Sequence, residues 1–370
     1  MKVLIVGAGI MGLATAWALT RAGHRVEVLD QGPIPNPLGT SVDQHRLIRY
    51  PYGGALGYTR MVGAAFAAWD RLWADLGETH YAPTGSLVFE APPAPWASAA
   101  CETLRAAGIA FRTPAPADIA RRFAALLPPA EGTTIETDTG GTLFAEAIVA
   151  GLARWLAANG ARLRPLARVR DLDPARATAT LEGGERVSAD AMLVAAGPWT
   201  GRLIPAVAAR MTPSRQIVVY VEPPHDLAVA WATHPLVLDK SPEGSIYVVP
   251  PRAGRALKIG FHTFSRVGDP DAPRVASAEE VAALTALCHR RLRRFAEYTN
   301  VRPVVCFYDV TEDENFLVVP VGPACLAVTG FSGHGFKFGA VLGERFAQGL
   351  TGEAAPDALA AWAAGRDDFR

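Results

Sequence analysis

Along the first thirty residues apolar and polar positions fall into three blocks. Val3-Leu4-Ile5-Val6 is a short, β-branched apolar run, which predicts a strand buried on both faces. Leu13 to Thr20 reads as helix, and a second apolar run, Val26-Glu27-Val28-Leu29, ends in Asp30. Further on, Tyr58 to Leu76 carries a helical stripe through Val62, Phe66, Trp69, Leu72, Trp73 and Leu76. Ser86 to Glu90 predicts a strand, followed by helix around Trp96 to Ala107 and a short one near Asp118 to Phe123. Thr133 to Gly141 reads as strand and turn, and Leu143 to Asn159 as a helix that stops at Gly160. Hairpin-like strands run to Val187, turning at Gly183-Gly184, and a strand closing on Ala195-Ala196-Gly197 follows Asp190.

From Ser214 to Gly260 the pattern changes. Strands at Ile217 to Val221, Leu236 to Leu238, Ile246 to Val249 and Ala256 to Ile259 come without an expected helix between them. That predicts a second unit on an antiparallel or mixed sheet. Ser277 to Glu297 reads as helix, and strands are expected at Val304 to Tyr308, Phe316 to Val319 and Cys325 to Thr329. A glycine-rich loop, Gly330 to Gly339, then leads into a helix ending near Gly349.

Between the first strand and helix lies Gly7-Ala8-Gly9-Ile10-Met11-Gly12. Strand, G-x-G-x-x-G, helix, strand and acid in that order form the βαβ unit that binds a dinucleotide. Gly7 serves the tight turn, Gly9 the approach of a pyrophosphate, and Gly12 the packing of helix on strand. Ile10 and Met11 open the helix whose N-terminus faces the phosphates. Asp30 is placed to accept hydrogen bonds from a ribose. The motif leaves NAD and FAD open, and its position at residue 2 favours FAD. Ala196, Gly197 and Trp199 close a second strand on small residues, either to admit the same ligand or merely to turn tightly. Arg46 and Arg49 share a face if helical and lie on opposite faces if extended; surface arginines are the plain alternative.

Composition narrows the function classes. Half of the 370 residues are hydrophobic and 19% are charged, with formal net charge zero. There is no basic stripe to attract nucleic acid or an acidic membrane surface, and no apolar run long enough to span a bilayer. Cys101, Cys288, Cys306 and Cys325 lack metal-type spacing, so no metal centre is expected. A cytoplasmic protein without a targeting segment is the expectation.

Five segments in order carry a resemblance: VGAGIMG, HRLIRYPYG, LKIGFHTF at 257–264, CFYDVTEDENF at 306–316 and GFSGHGFKF at 330–338. Together they resemble the monomeric sarcosine oxidase group of amine-oxidising flavoproteins, which includes N-methyltryptophan oxidase, over essentially the whole chain. The resemblance implies an α/β FAD-binding Rossmann-like domain of the glutathione-reductase type, interleaved with an α+β substrate domain on a mixed or antiparallel sheet. The FAD domain is expected over 1–84, 138–212 and 324–370, and the substrate domain over 85–137 and 213–323. By position, Cys306 matches the cysteine joined through sulfur to the flavin ring, with a buried structural thiol as the plain alternative. Lys258 matches the lysine that promotes reaction with oxygen, or else is a solvated strand residue. Arg49 and Lys337 match the cations that hold the substrate carboxylate, and Arg46 an arginine near the flavin. Tyr247, His262 and Tyr308 match residues around the amine, or pack ordinarily. Gly333, His334, Gly335 and Phe336 belong with Lys337 to the glycine loop expected at the cofactor.

Two departures stand out. Where the sarcosine enzymes carry His-His-Gly-Asp, this chain has Ser41-Val42-Asp43-Gln44, and in place of their charged loop it has Gly53-Gly54-Ala55-Leu56-Gly57. A small uncharged lid implies an amine other than sarcosine. The resemblance therefore implies an FAD-dependent oxidase of a secondary or cyclic α-amino acid. It would transfer hydride to flavin N5, form an imine and use O2 to give H2O2, and a monomer is expected. Alternatives are a dehydrogenase that passes electrons to a quinone or protein acceptor, and a tailoring enzyme acting on an amine within a larger molecule.

Overall fold

A computed structural model describes residues 1–366; residues 367–370, the last of the expected FAD domain, lie outside the described residues. The first apolar run forms the strand Lys2–Val6, whose Val3, Leu4 and Ile5 are fully buried. It sits inside a six-stranded sheet between Arg25–Leu29 and Ala191–Val194, both parallel to it. Arg162–Arg164 extends the sheet on one side, and Cys325–Thr329 on the other. Leu317–Gly322 completes it as an antiparallel edge strand. The domain boundary expected at 323/324 would cut that hairpin; by strand pairing Leu317–Gly322 goes with the first sheet.

Helices Ile10–Arg21, Leu56–Leu76, Ala145–Ala158 and Gly339–Thr351 cover this sheet and share one apolar core. The first and last of these come from opposite ends of the sequence and touch backbone to backbone. A Cβ on Gly343 would stand 2.5 Å from the Ala14 carbonyl carbon, so only glycine permits that approach.

The second sheet has seven strands, in the order Thr299–Val310, Thr212–Glu222, Leu257–Phe261, Ile246–Val249, Leu236–Asp239, Ser86–Glu90, Thr133–Thr137. All neighbours are antiparallel except Leu236–Asp239 with Ser86–Glu90. Side chains alternate between its faces. Val219, Val221, Ile246, Val248, Leu257 and Ile259 point to one face and form a core with Trp231, Leu284 and Leu292. The other face carries Tyr220, Tyr247 and Lys258 on inner strands, with Cys306 and Tyr308 on the edge strand Thr299–Val310. A strand that is apolar on one face only should have its other face at solvent or at a site.

Several expectations change. A helix, His225–Trp231, interrupts the run of strands after Ser214; Leu227 and Trp231, one turn apart, bury themselves in the second core. The helix expected over Ser277 to Glu297 is Ala278–Arg291, started by a reciprocal capping box between Ser277 and Glu280. It stops because Leu292 turns extended, pairs with Leu126 and buries fully, before a separate turn at Phe295–Glu297. Residues 46–48 are extended and pair with Gly141–Leu143, so the helical alternative for the arginine pair falls. The Gly53 to Gly57 stretch is no free lid. Leu56 already starts a helix, and Gly53 lies against the Trp96 indole, where a Cβ would be 2.7 Å from its Nε1.

Candidate active site

A cavity of about 150 Å³ opens at the N-terminus of the first helix. Gly7 adopts φ +108°, and a Cβ there would strike the Ala195 carbonyl oxygen at 2.3 Å, so the two strand ends can meet only at glycine. Gly9, Asp30, Ala196 and Trp199 line this cavity with Gly7, as the sequence predicts. Asp30 accepts from the Ala8 N–H at 2.9 Å, the Gly32 N–H at 2.9 Å and Asn36 Nδ2 at 2.8 Å. A carboxylate has about four acceptor positions, so one remains for a ribose hydroxyl. Ile10, Met11, Gly12 and Gly197 do not line it. The Ile10 N–H instead donates to Ser41 Oγ at 2.9 Å, Met11 is buried in the first core, Gly12 packs beneath the Gly7 carbonyl, and Gly197 opens a short turn behind Trp199.

From Gly39 to Arg46 the chain runs out of this cavity and into a second one, of about 230 Å³. That chamber lies under the polar face of the seven-stranded sheet. All six residues assigned to chemistry line it: Arg49, Tyr247, Lys258, His262, Tyr308 and Lys337. So do Arg46, Gly333, His334 and Phe336. Gly335 packs against Phe331, outside the lining. Cys306 is not in the lining either, but stands two residues before Tyr308 on the same face of its strand. Burial pushes its thiol pKa up, and the nearby Arg46 and Lys258 pull it partly back.

Lys258 is 2% exposed, which excludes a solvated strand residue. Its ammonium donates to the Asp43 carboxylate and, at 3.3 Å, to the His45 carbonyl. Asp43 also accepts from Arg46 and from the Tyr220 hydroxyl. Burial and Arg46 push Lys258 down to about 8, with Asp43 opposing them. Burial raises the Asp43 carboxyl, but Lys258 and Arg46 outweigh it and hold it well below the usual range.

The opposite wall is built differently. Lys337 donates to the Tyr52 hydroxyl at 2.8 Å and the His334 carbonyl at 2.9 Å. With that lone pair used, Tyr52 donates its own proton to His334 Nδ1 at 3.2 Å, and His334 Nε2–H donates to the Glu314 carbonyl at 3.0 Å. Burial and Lys337 lower His334 to about 3, so the imidazole is neutral, as this chain of bonds requires. Arg49 donates to the Pro51 carbonyl and, at 3.5 Å, to His262 Nε2. Its Nε and the Nδ1 of His262 are buried without a protein partner. Among the described residues neither Arg49 nor Lys337 meets a carboxylate, and burial lowers the pKa of both. Two buried cations without counter-charges favour any anion that enters.

Sequence reasoning missed several residues that build this chamber. Asp43 was noted only as a departure, and its role as counter-charge to Lys258 depends on a strand more than two hundred positions away. Asp309 accepts from Thr329 Oγ1 at 2.9 Å and from the Phe331 N–H at 3.3 Å, which pins the start of the glycine loop. Tyr52, Trp96 and Lys240 line the chamber through a loop, a helix start and a strand end. None follows a periodic pattern. For Asp43 alone there was a signal, an acid three residues before Arg46 in an otherwise basic segment.

The residues therefore fit an extended dinucleotide. A helix N-terminus and a spare carboxylate position lie at one end, and a side-chain chamber with unpartnered buried polar atoms at the other. The chain is 28% identical over 371 residues to monomeric sarcosine oxidase of Bacillus sp. strain B-0618, spanning 96% of this chain and 93% of that protein. It is 29% identical to N-methyl-L-tryptophan oxidase of Salmonella arizonae over 92% of each. Among solved structures, the open form of NikD, an unusual amino acid oxidase essential for nikkomycin biosynthesis, superposes with TM-score 0.81 at 21% identity, covering 95% and 94% of the two chains. Residues 2–349, nearly the entire chain, match the DAO family, and the protein belongs to this family of FAD dependent oxidoreductases.

Proposed function

We propose that the protein is an oxidase of a secondary or cyclic α-amino acid, of the sarcosine, N-methyl or proline-like kind. The observation that carries this reading is the pair Arg49 and Lys337, two buried cations that face one chamber without a carboxylate of their own. A substrate carboxylate would accept charge-assisted bonds from both, each contributing roughly 1.5–3 kcal/mol. That clamp fixes which C–H bond faces the ring. His262 lies on the same wall and is held neutral chiefly by burial, with Lys240 and Arg49 adding to the effect. Tyr247 and Tyr308 are pushed far above their ordinary pKa by burial and stay protonated. An amine among such neutral groups is favoured in its uncharged form, the form that can release hydride. FAD, when bound, accepts that hydride, and the imine product is hydrolysed by water.

Cys306 is the residue we assign to covalent attachment of FAD, supported by its place beside Tyr308 at the edge of the chamber. Acid precipitation of the purified protein tests it: a yellow pellet is expected, and a yellow supernatant with a colourless pellet would overturn the covalent link. An amine panel scored anaerobically for flavin bleaching tests the reaction class. Bleaching by N-methyl or cyclic amino acids but not by their decarboxylated counterparts is expected. Equal bleaching by both would remove the carboxylate clamp.

A second reading is supported by Asp43. Its carboxylate offsets the charge of Lys258, the group assigned to oxygen, and thereby favours a dehydrogenase that passes electrons to a quinone or protein acceptor. Peroxide yield per imine formed in air separates the two. A ratio near one supports the oxidase, and little peroxide with rapid dye reduction supports the dehydrogenase.

A further inference from the structure

Arg49 and Lys337 account for one carboxylate, and Arg46 and Lys258 share Asp43, yet a fifth cation lines the same chamber. Lys240 follows the strand Leu236–Asp239, and its ammonium makes no hydrogen bond or ion pair among the described residues. Its ammonium stands 5.5 Å from the centre of the Trp96 ring, and the Arg49 guanidinium stands 5.8 Å from that same ring. Arg49 and Lys337 in turn share Tyr52, at 5.0 and 5.2 Å from its ring centre. The order across the wall is therefore Lys337, Tyr52, Arg49, Trp96, Lys240, with aromatic rings spacing three positive charges.

Lys240 is also held in place. Its N–H donates to the Phe89 carbonyl at 2.9 Å, and the next residue, Ser241, is tied to Asp239 and to the Ala91 N–H. Trp96 is fixed from behind, because the buried Glu90 carboxylate accepts from the Ala97 N–H at 2.7 Å. No acid contacts this ammonium among the described residues: Asp239 pairs with Arg291, Glu314 with Arg266 and Asp313 with Arg366, while Glu90 accepts from the Ala97 N–H. Burial, with Arg49 close by, draws the Lys240 pKa down, and Glu314 and Glu90, neither of which forms an ion pair with it, oppose this only in part.

We infer that the substrate is an amino acid bearing a second carboxylate, held between Lys240 and Arg49 while Arg49 and Lys337 hold the first. The lone extra charge of Lys240 matches one carboxylate; a phosphate, with nearly two charges, would call for more donors than this end of the wall provides. The inference rests on the clamp proposed above and names the class of substrate that the clamp serves.

Thioethers test it without turnover, because sulfur in place of nitrogen gives an analogue that cannot be oxidised to an imine. (Methylthio)acetate carries one carboxylate, and thiodiacetate and 3-(carboxymethylthio)propionate carry two. Each is titrated into the FAD-loaded protein at low salt, read by perturbation of the visible flavin spectrum and by the shift in thermal midpoint. At least one dianion is expected to bind ten-fold or more tightly than the monoanion. Lys240→Met should abolish that preference while leaving the monoanion within about two-fold, and Lys240→Arg should restore most of it. Equal binding of mono- and dianions to the unaltered protein would overturn the inference. So would a Lys240→Met variant that weakens both alike. If the monoanion binds and depends on Arg49 but no dianion is preferred, only this inference falls; if no anion binds, the clamp falls with it.

Discussion

At the mouth of the first helix a ligand would meet backbone, one carboxylate and the absence of side chains at Gly7 and Gly9. Beneath the seven-stranded sheet it would meet mainly side chains, drawn from residue 46 to residue 337. The first region is made largely by the stretch from Val6 to Ser41, closed by short segments at 167–169 and 195–203, and its charged groups are Asp30, Arg168 and Arg202. In the second, cations outnumber acids along the wall, and their pKa values are distorted by burial. The difference separates two tasks. Holding an adenine dinucleotide demands close approach, which glycine supplies wherever it occurs, whereas discriminating a substrate demands charges at fixed separations, which only a finished tertiary structure supplies.

Four substitutions probe that division, beginning with the one of greatest effect. Gly7→Val places a branched side chain where even a Cβ would be 2.3 Å from the Ala195 oxygen. Bound FAD, measured as flavin absorbance per protein, should fall more than ten-fold, while substitutions in the chamber wall leave it near stoichiometric. Full flavin content in Gly7→Val would dissolve the distinction. Lys258→Met removes the cation assigned to the oxygen reaction, and reoxidation should slow by about 100-fold, the scale of losing one preorganised electrostatic group. Stopped-flow mixing with substrate in the absence of air should show flavin reduction changed only a few-fold; equal loss of both steps would refute the role. Arg49→Met should lower kcat/KM by roughly 10- to 100-fold, the worth of one charge-assisted contact, with flavin content unchanged. An unaltered kcat/KM would mean that the carboxylate is held elsewhere.

The smallest effect is a displacement along the pH axis. Lys258 keeps its proton up to about 8, against an ordinary value of 10.5, and Asp43 is the neighbour that supports the charged form. The oxygen step should therefore decline as pH rises through about 8. Asp43→Asn should move that decline downward by about one unit or more, because Arg46 then acts unopposed. An unshifted profile would show that the ion pair does not tune the lysine. The linkage to stability has the opposite sense. The folded state binds this proton less tightly than the unfolded chain does, so the charged lysine costs stability below pH 8, and that cost is relieved as pH rises toward 10.5.

This contrast also explains what could be read from the residues alone. The strand, helix and acid of the first unit are local in sequence, and the strand Ser86–Glu90 has the bounds its pattern predicts. The unexpected helix His225–Trp231 and the early helix end at Leu292 were both set by burial in a core assembled from distant strands, which no local period records. In the chamber, Arg49, Lys258, His262 and Lys337 were legible because motifs name them. Lys240 was not, since a lysine at the end of a strand has no signature until Trp96 and Arg49 are placed beside it. Asp43 stayed hidden for the same reason: its meaning comes from Lys258 across the sheet edge.

The contact between Gly343 and Ala14 bears on the order of events during synthesis. The helix Ile10–Arg21 is translated more than three hundred residues before Gly339–Thr351, the surface that receives it. Until then the first helix, already flanked by Arg25–Leu29 and Ala145–Ala158, lacks the partner that packs closest against its backbone. Capture of the cofactor is thus expected only once Gly339–Thr351 has been made, rather than as a nucleus for folding. Stalled nascent chains ending before residue 339 should retain no flavin, and retention at that length would reverse the order.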